Sequence, residues 1–85
     1  MYSDEIVKRI ATLYPDAVIE ASGQDCDFEV YVVSEIFHGQ SAMQRQQPIL
    51  ALFAKELANG RLHALSIKAR TPEELSVRSG FVQIL

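Results

Sequence analysis

The segment Arg61–Pro72 constrains the fold of this chain more than any other stretch. Its residues alternate in polarity along the chain, as in a β-strand that buries one face. One face carries His63, Leu65, Ile67 and Ala69, and the other carries Ala64, Ser66, Lys68 and Arg70. The apolar face therefore begins with a histidine at a strand end, where a side chain is half exposed. The local pattern alone favours a packed His63 over a ligand, because most histidines on apolar faces only need a hydrogen-bond partner.

Two further strands are predicted before the central part of the chain. Ala17–Ala21 and Phe28–Ser34 are joined by a loop of turn-forming residues, which predicts an antiparallel hairpin. The connection to the third strand is long enough for a right-handed crossover between parallel strands. Because parallel strands start at the same edge of a sheet, Cys26, just before the second strand, and His63 are expected to lie close together.

The two outer helices begin at residues that suit a helix N-terminus. Ser3 is the expected cap of the first helix and Thr71 that of the last, with Pro72 at the first position and Gly80 at the end. The apolar stripe of the first helix has helical spacing and consists of Ile6, Ile10 and Leu13.

Pro48 is expected to begin a helix, because it lacks an amide donor and suits a first turn. A short helix over Ser41–Gln46 and a break near Gln46–Gln47 would precede it, and Asn59–Gly60 would end it. The buried face of this helix is expected to be Ile49, Leu52, Phe53 and Leu57. The predicted order is α-β-β-α-α-β-α, an α+β domain with a three-stranded mixed sheet and helices packed on one face.

Length and composition indicate one small domain, over residues 1–80, with an apolar tail over 81–85. The chain has 85 residues, a net charge of −3 and 48% hydrophobic residues, enough for a modest core. The acidic start does not resemble a signal peptide and no apolar run could span a membrane, so a cytoplasmic location is expected. The sole cysteine, Cys26, cannot form an intrachain disulfide, and is expected to be a free thiol or a metal ligand.

Three segments resemble the BolA-like proteins: Val32–Gly39, Gln44–Gln47 and Leu62–Pro72. The hairpin loop and Ser66–Ala69 are most similar to the IbaG-type branch of that family. The resemblance extends over roughly Ile6–Leu75, and its most specific part is the strand that contains His63. It implies a fold similar to a type II KH domain.

The resemblance also implies a function. Family members partner a monothiol glutaredoxin and share a bridging 2Fe-2S cluster with it, in iron–sulfur trafficking, iron homeostasis and stress response. The histidine common to the family corresponds to His63, and its second ligand corresponds to Cys26 or a near neighbour. In some IbaG-type loops a histidine directly precedes the strand phenylalanine, where this chain has Asp27. His38 does not correspond to a ligand of the family.

Coordination chemistry agrees with a shared cluster. An imidazole nitrogen and a thiolate are suitable ligands of an iron–sulfur centre. Two ligands do not complete the four that a cluster needs, so a partner has to supply the rest. The isolated chain is therefore expected to hold no stable cluster. As a separate expectation, the chain alone is a monomer or a weak homodimer.

DNA binding and enzymatic activity are the alternatives. Family members are also described as transcription regulators, and the basic residues of this chain are candidate phosphate contacts, first among them Arg45, Lys68 and Arg70. Lys55, Arg61 and Arg78 are further members of such a basic face. No ordering of residues typical of a catalytic triad, phosphate loop or zinc site is present, so we expect no enzyme and no catalytic residues.

Overall fold

The computed structural model describes residues 2–24 and 26–74. Its elements are α1 (Ser3–Leu13), β1 (Val18–Gln24), β2 (Asp27–Val33), a 3-10 helix (Glu35–Phe37), α2 (Ala42–Leu52), α3 (Ala54–Asn59) and β3 (Ala64–Arg70). Residues 72–74 begin a further helix. The predicted end of that helix at Gly80 and the tail over 81–85 lie outside the described residues. Within the described part of the chain, no helix combines the length and the apolar character needed to span a bilayer.

The three strands form one mixed sheet in the order β1-β2-β3. β1 pairs antiparallel with β2, with Ala21 opposite Val30, and β2 pairs parallel with β3, with Val30 opposite Ile67. The predicted hairpin and the predicted parallel crossover are both confirmed. β1 is longer at its C-terminal end than expected, because its backbone continues to pair with β2 through residues whose side chains are typical of turns.

The helices cover one face of the sheet, and the core lies between them and the strands. The buried apolar side chains are Ile6, Ile10, Tyr14, Phe28, Val30, Val32, Phe37, Ile49, Phe53, Leu62, Ile67 and Ala69. The opposite face, the open face, is not covered by any helix of the described residues, and Glu20, Tyr31 and Lys68 lie side by side on it across the three strands. Burial of each large apolar side chain contributes about 1.5–3 kcal/mol, so this single layer of contacts is the main stabilising term.

Two details of α1 differ from the prediction. Ser3 is the first residue of the helix and not its cap, because the carbonyl of Tyr2 accepts the N–H groups of Glu5 and Ile6. Leu13 is 41% exposed, whereas Tyr14 is only 7% exposed and takes its place in the core. The helix ends at Leu13, and the turn that follows brings the Tyr14 ring to 5.1 Å from that of Phe37.

The prediction that Pro48 begins a helix is wrong. Pro48 lies inside α2, and helical structure continues through the expected break at Gln46–Gln47. A capping box starts the helix earlier: the Ser41 hydroxyl accepts the Gln44 N–H at 3.2 Å, and the Gln44 side chain accepts the Ser41 N–H at 2.8 Å. This cap and the packing of α2 outweigh the missing hydrogen bond of the proline. The break between α2 and α3 lies instead at Phe53, whose ring is fully buried.

The predicted caps of the later helices are confirmed. Gly60 ends α3 in the left-handed region, with φ of 82°. Thr71 caps the helix that begins at Pro72: its hydroxyl accepts the Glu74 N–H at 3.1 Å, and the Glu74 carboxylate accepts the Thr71 N–H at 2.9 Å. This second capping box fixes the direction in which the chain leaves β3.

Candidate functional site

Cys26 and His63 lie next to each other at the end of the sheet where the parallel strands β2 and β3 begin. Asp27 and Ala64 are the first paired residues of β2 and β3, so Cys26 and His63 immediately precede two neighbouring parallel strands. The carbonyl oxygen of Cys26 accepts the N–H of His63 at 2.8 Å and the N–H of Ala64 at 3.2 Å. The juxtaposition predicted from the strand pattern is therefore present, and it is made by backbone atoms.

The side chains of this pair are accessible to solvent. His63 is exposed and Cys26 is half-buried, with a free thiol. An exposed imidazole is not part of the core, so the packed role that the local pattern favoured for His63 is not observed. Both side chains extend from residues whose backbones are bonded to each other, so the two side chains start from fixed, neighbouring positions.

Gly23, near the end of β1, allows β1 and β2 to approach each other closely beside Cys26. Gly23 has a φ of 142° and lies opposite Phe28 in the antiparallel ladder. A Cβ atom at this position would clash with the carbonyl oxygen of Asp27. Only glycine therefore permits this close approach of the two hairpin strands, three residues before Cys26.

The segment before His63 is fixed by the core. Leu62 is fully buried, and its N–H donates to the carbonyl oxygen of Glu56 in α3 at 3.1 Å. The side chain of Asn59 accepts the N–H of Arg61 at 3.0 Å, which supports the same turn. His63 therefore emerges from a short, internally bonded connection and not from a long loop.

Glu56 is held by an arginine that sequence reasoning did not single out. Arg9 of α1 donates to both carboxylate oxygens of Glu56 at 2.8 Å, and also to the Leu52 carbonyl and the Glu5 carboxylate. This bidentate bond lowers the pKa of Glu56 to about 2, against the opposing effect of burial. One signal for this ion pair was available in the sequence. Glu56 follows Phe53 by three residues and so lies on the same buried side of the chain, where a charged group needs a partner.

The three candidate phosphate contacts do not form one basic face. Arg45 is 9% exposed; it donates to the Gln40 and Ala69 carbonyls and to both carboxylate oxygens of Glu74. Lys68 is exposed on the open face of the sheet, and Arg70, farther along the same face, is half-buried. The Arg45 guanidinium is thus used inside the fold, and it is a poor candidate for contact with DNA.

The remaining histidine, His38, is far from Cys26 and His63, and the described residues contain no larger cluster of metal-binding side chains. Among residues 2–24 and 26–74, no group of three or more His, Cys, Asp and Glu side chains is arranged to hold a metal ion. His38 is exposed and lies 3.8 Å from the Glu73 carboxylate, beside the start of the last helix. It follows the C-terminal end of β2, whereas Cys26 and His63 precede the N-terminal ends of β2 and β3, so His38 is a histidine remote from the candidate site.

Residues 14–74 match the family model described as BolA-like protein. The chain is 33% identical over 81 residues to a protein of Acinetobacter guillouiae from the rpoN–murA intergenic region, covering 95% of this chain and 98% of that protein. It is 39% identical over 56 residues to the acid stress protein IbaG of Escherichia coli K12, covering 66% and 67% of the two chains.

Solved structures show the same fold. The solution structure of BolA1 from Mus musculus superposes with a TM-score of 0.75 at 29% identity, covering 91% of this chain and 70% of that one. The BolA domain of SufE1 from Arabidopsis thaliana superposes with a TM-score of 0.73 at 30% identity, covering 85% and 93%. The sheet that brings Cys26 and His63 together is therefore part of a fold found in other proteins.

Proposed function

This chain belongs to the BolA-like protein family, and on that premise we propose that it supplies His63 and Cys26 as two ligands of a 2Fe-2S cluster shared with a monothiol glutaredoxin. In this proposal the chain is not an enzyme. It is an accessory protein of iron–sulfur trafficking and iron homeostasis in the cytoplasm, with a consequent role in stress response.

The observation that carries the proposal is the pair of hydrogen bonds at the Cys26 carbonyl. They join the backbones of the two candidate ligands directly, through the His63 N–H at 2.8 Å and the Ala64 N–H at 3.2 Å. A site assembled from side chains on unrelated loops would have to be ordered when the cluster binds, at a cost in conformational entropy. Here hydrogen bonds just before the paired strands already join the backbones of the two proposed ligands.

The donor atoms fit half of a cluster. A neutral imidazole nitrogen and a thiolate both bind iron, and histidine ligation raises the reduction potential of a 2Fe-2S centre relative to four thiolates. When bound, the cluster would supply electron-transfer or cluster-transfer chemistry. The part of this chain is to present two ligands at an exposed edge, where a second protein can approach and complete the coordination.

The direct experiment mixes the chain with a cluster-loaded monothiol glutaredoxin and records visible absorption and circular dichroism. We expect a spectrum different from that of the glutaredoxin alone, and expect His63→Ala to abolish that difference. Cys26→Ser should weaken the complex, because a hydroxyl is a poorer iron ligand than a thiolate. His38→Ala is the control and should behave as the unchanged chain. An unaltered spectrum with His63→Ala would refute the proposal.

DNA binding is the second candidate function, and it has weaker support. It would rely on the exposed Lys68 and the half-buried Arg70, in a chain of net charge −3. If the chain binds DNA through phosphates, its affinity should fall steeply as salt rises, and Lys68→Ala should reduce the slope of that dependence by about one. An affinity for DNA that does not change with salt would exclude this mode.

A further inference from the structure

The Arg9–Glu56 ion pair joins the first helix to the segment that carries His63. The Glu56 side chain is only 8% exposed, and its carboxylate accepts two hydrogen bonds of 2.8 Å from the Arg9 guanidinium. The guanidinium carbon of Arg9 also lies 5.4 Å from the centre of the Phe53 ring. This packing and the bidentate geometry restrict the position of α3 relative to α1.

A short series of contacts leads from this pair to the candidate ligand. The backbone carbonyl of Glu56 accepts the N–H of Leu62 at 3.1 Å, and the Leu62 side chain is fully buried. The next residue is His63, whose N–H donates to the Cys26 carbonyl. Glu56 thus contacts Arg9 through its side chain and the His63 segment through its backbone.

We propose that Arg9 and Glu56 are positioning residues for His63. Their ion pair fixes the position of the last turn of α3. Through the hydrogen bond from Leu62 to Glu56, that turn fixes the backbone position of Leu62 and His63 relative to the start of β2. The effect on a metal site rests on the proposed function. The effect on the backbone of the His63 segment does not, and it can be measured on the chain alone.

A second bidentate ion pair, at the other end of β3, provides the control. Arg45 donates to both carboxylate oxygens of Glu74 at 2.8 and 3.0 Å, and to the Ala69 carbonyl at the C-terminal end of β3. The length of β3 separates that end from His63 by about 20 Å at the usual rise of a strand. Loss of either ion pair should destabilise the fold, but only loss of the first should loosen the His63 segment.

The test compares amide hydrogen exchange, resolved by residue, in Glu56→Gln and Glu74→Gln. Glutamine keeps the shape of the side chain and removes its charge, so it weakens both ion pairs. Because the Glu74 side chain is 43% exposed and that of Glu56 only 8%, the comparison uses the ratio of exchange rates within each variant and not the total loss of stability. We expect Glu56→Gln to speed exchange at the Leu62, His63 and Ala64 amides by roughly tenfold beyond any change in β2, as local opening does. Glu74→Gln should leave the ratio between these amides and those of β2 unchanged. Equal acceleration of the whole sheet in both variants would overturn the inference.

A second arm measures the consequence for the shared cluster. With a cluster-loaded monothiol glutaredoxin, Glu56→Gln should shorten the lifetime of the mixed-ligand spectrum several-fold, whereas Glu74→Gln should not. If the unchanged chain gives no mixed spectrum, the proposed function fails while the exchange result still decides the positioning role.

Arg9→Lys retains a cation that can bond one carboxylate oxygen, and its exchange rate at these amides should lie between those of the unchanged chain and Glu56→Gln. It also replaces Glu56→Gln if that variant does not fold.

Discussion

Substitution of two adjacent residues, Leu62 and His63, should separate folding from function. Leu62 is fully buried, and Leu62→Ala removes a branched side chain from the core. At about 0.8 kcal/mol for each buried carbon group, with an added term for the cavity, the free energy of unfolding should fall by about 3 kcal/mol. In a domain of this size such a loss lowers the melting temperature by about 12–24 °C.

His63→Ala should behave in the opposite way. The side chain is exposed, and the hydrogen bond to Cys26 is donated by the backbone N–H, which alanine retains. The free energy of unfolding should change by no more than about 0.5 kcal/mol, as for other surface substitutions.

Urea titration followed by far-ultraviolet circular dichroism measures both changes under the same conditions. The chain contains no tryptophan, so a backbone signal is preferable to fluorescence. The slope of the free energy against urea should stay constant between the variants, which would show that only stability differs. A loss above about 1 kcal/mol for His63→Ala would mean that the imidazole packs in the fold, and would refute its assignment as an exposed ligand.

Three further predictions concern the parts of the fold that set this geometry. The low pKa of Glu56 means that its ion pair with Arg9 contributes stability that is present above pH about 4.5 and is lost as pH falls towards about 2; Glu56→Gln should flatten the acid side of the stability–pH curve, and an unchanged curve would contradict this. Gly23→Ala should lower the free energy of unfolding by about 1–3 kcal/mol through strain and a clash with Asp27, so a neutral effect in thermal melts would be evidence against the hairpin geometry. Pro48→Ala should raise the free energy of unfolding by about 1–3 kcal/mol by restoring a helical hydrogen bond inside α2, and destabilisation would show that the proline is not within a regular helix.

The sheet edge with Cys26 and His63 was predictable because it depends on two strong signals. Polarity alternation along Leu62–Arg70 identifies β3, and the length of the central connection favours a parallel crossover. Together these signals determine which strand ends share an edge, without knowledge of side-chain packing. The structure then adds the register, with Asp27 opposite Ala64.

The error at Pro48 was local, whereas the remaining differences from the prediction occurred where distant contacts decide the outcome. Pro48 has a strong local preference for a helix start, but the capping box of Ser41 and Gln44, which is also a local motif, starts α2 earlier. Arg45 is indistinguishable from a surface arginine in sequence, since its partner Glu74 follows it by 29 residues. The Arg9–Glu56 pair spans 47 residues and was missed for the same reason. Local patterns therefore identify the elements and the juxtaposition of Cys26 and His63, whereas the ion pairs that support them require the folded structure.

The most direct test of the central claim is the nitrogen coupling to the reduced shared cluster. The chain is labelled with ¹⁵N at histidine, combined with an unlabelled, cluster-loaded monothiol glutaredoxin, reduced, and measured by pulsed electron paramagnetic resonance. We predict a ¹⁵N coupling typical of an imidazole bound to iron, present in the unchanged chain and in His38→Ala and lost in His63→Ala. Absence of this coupling from the unchanged complex, or its persistence in His63→Ala, would contradict the assignment of His63 as a ligand.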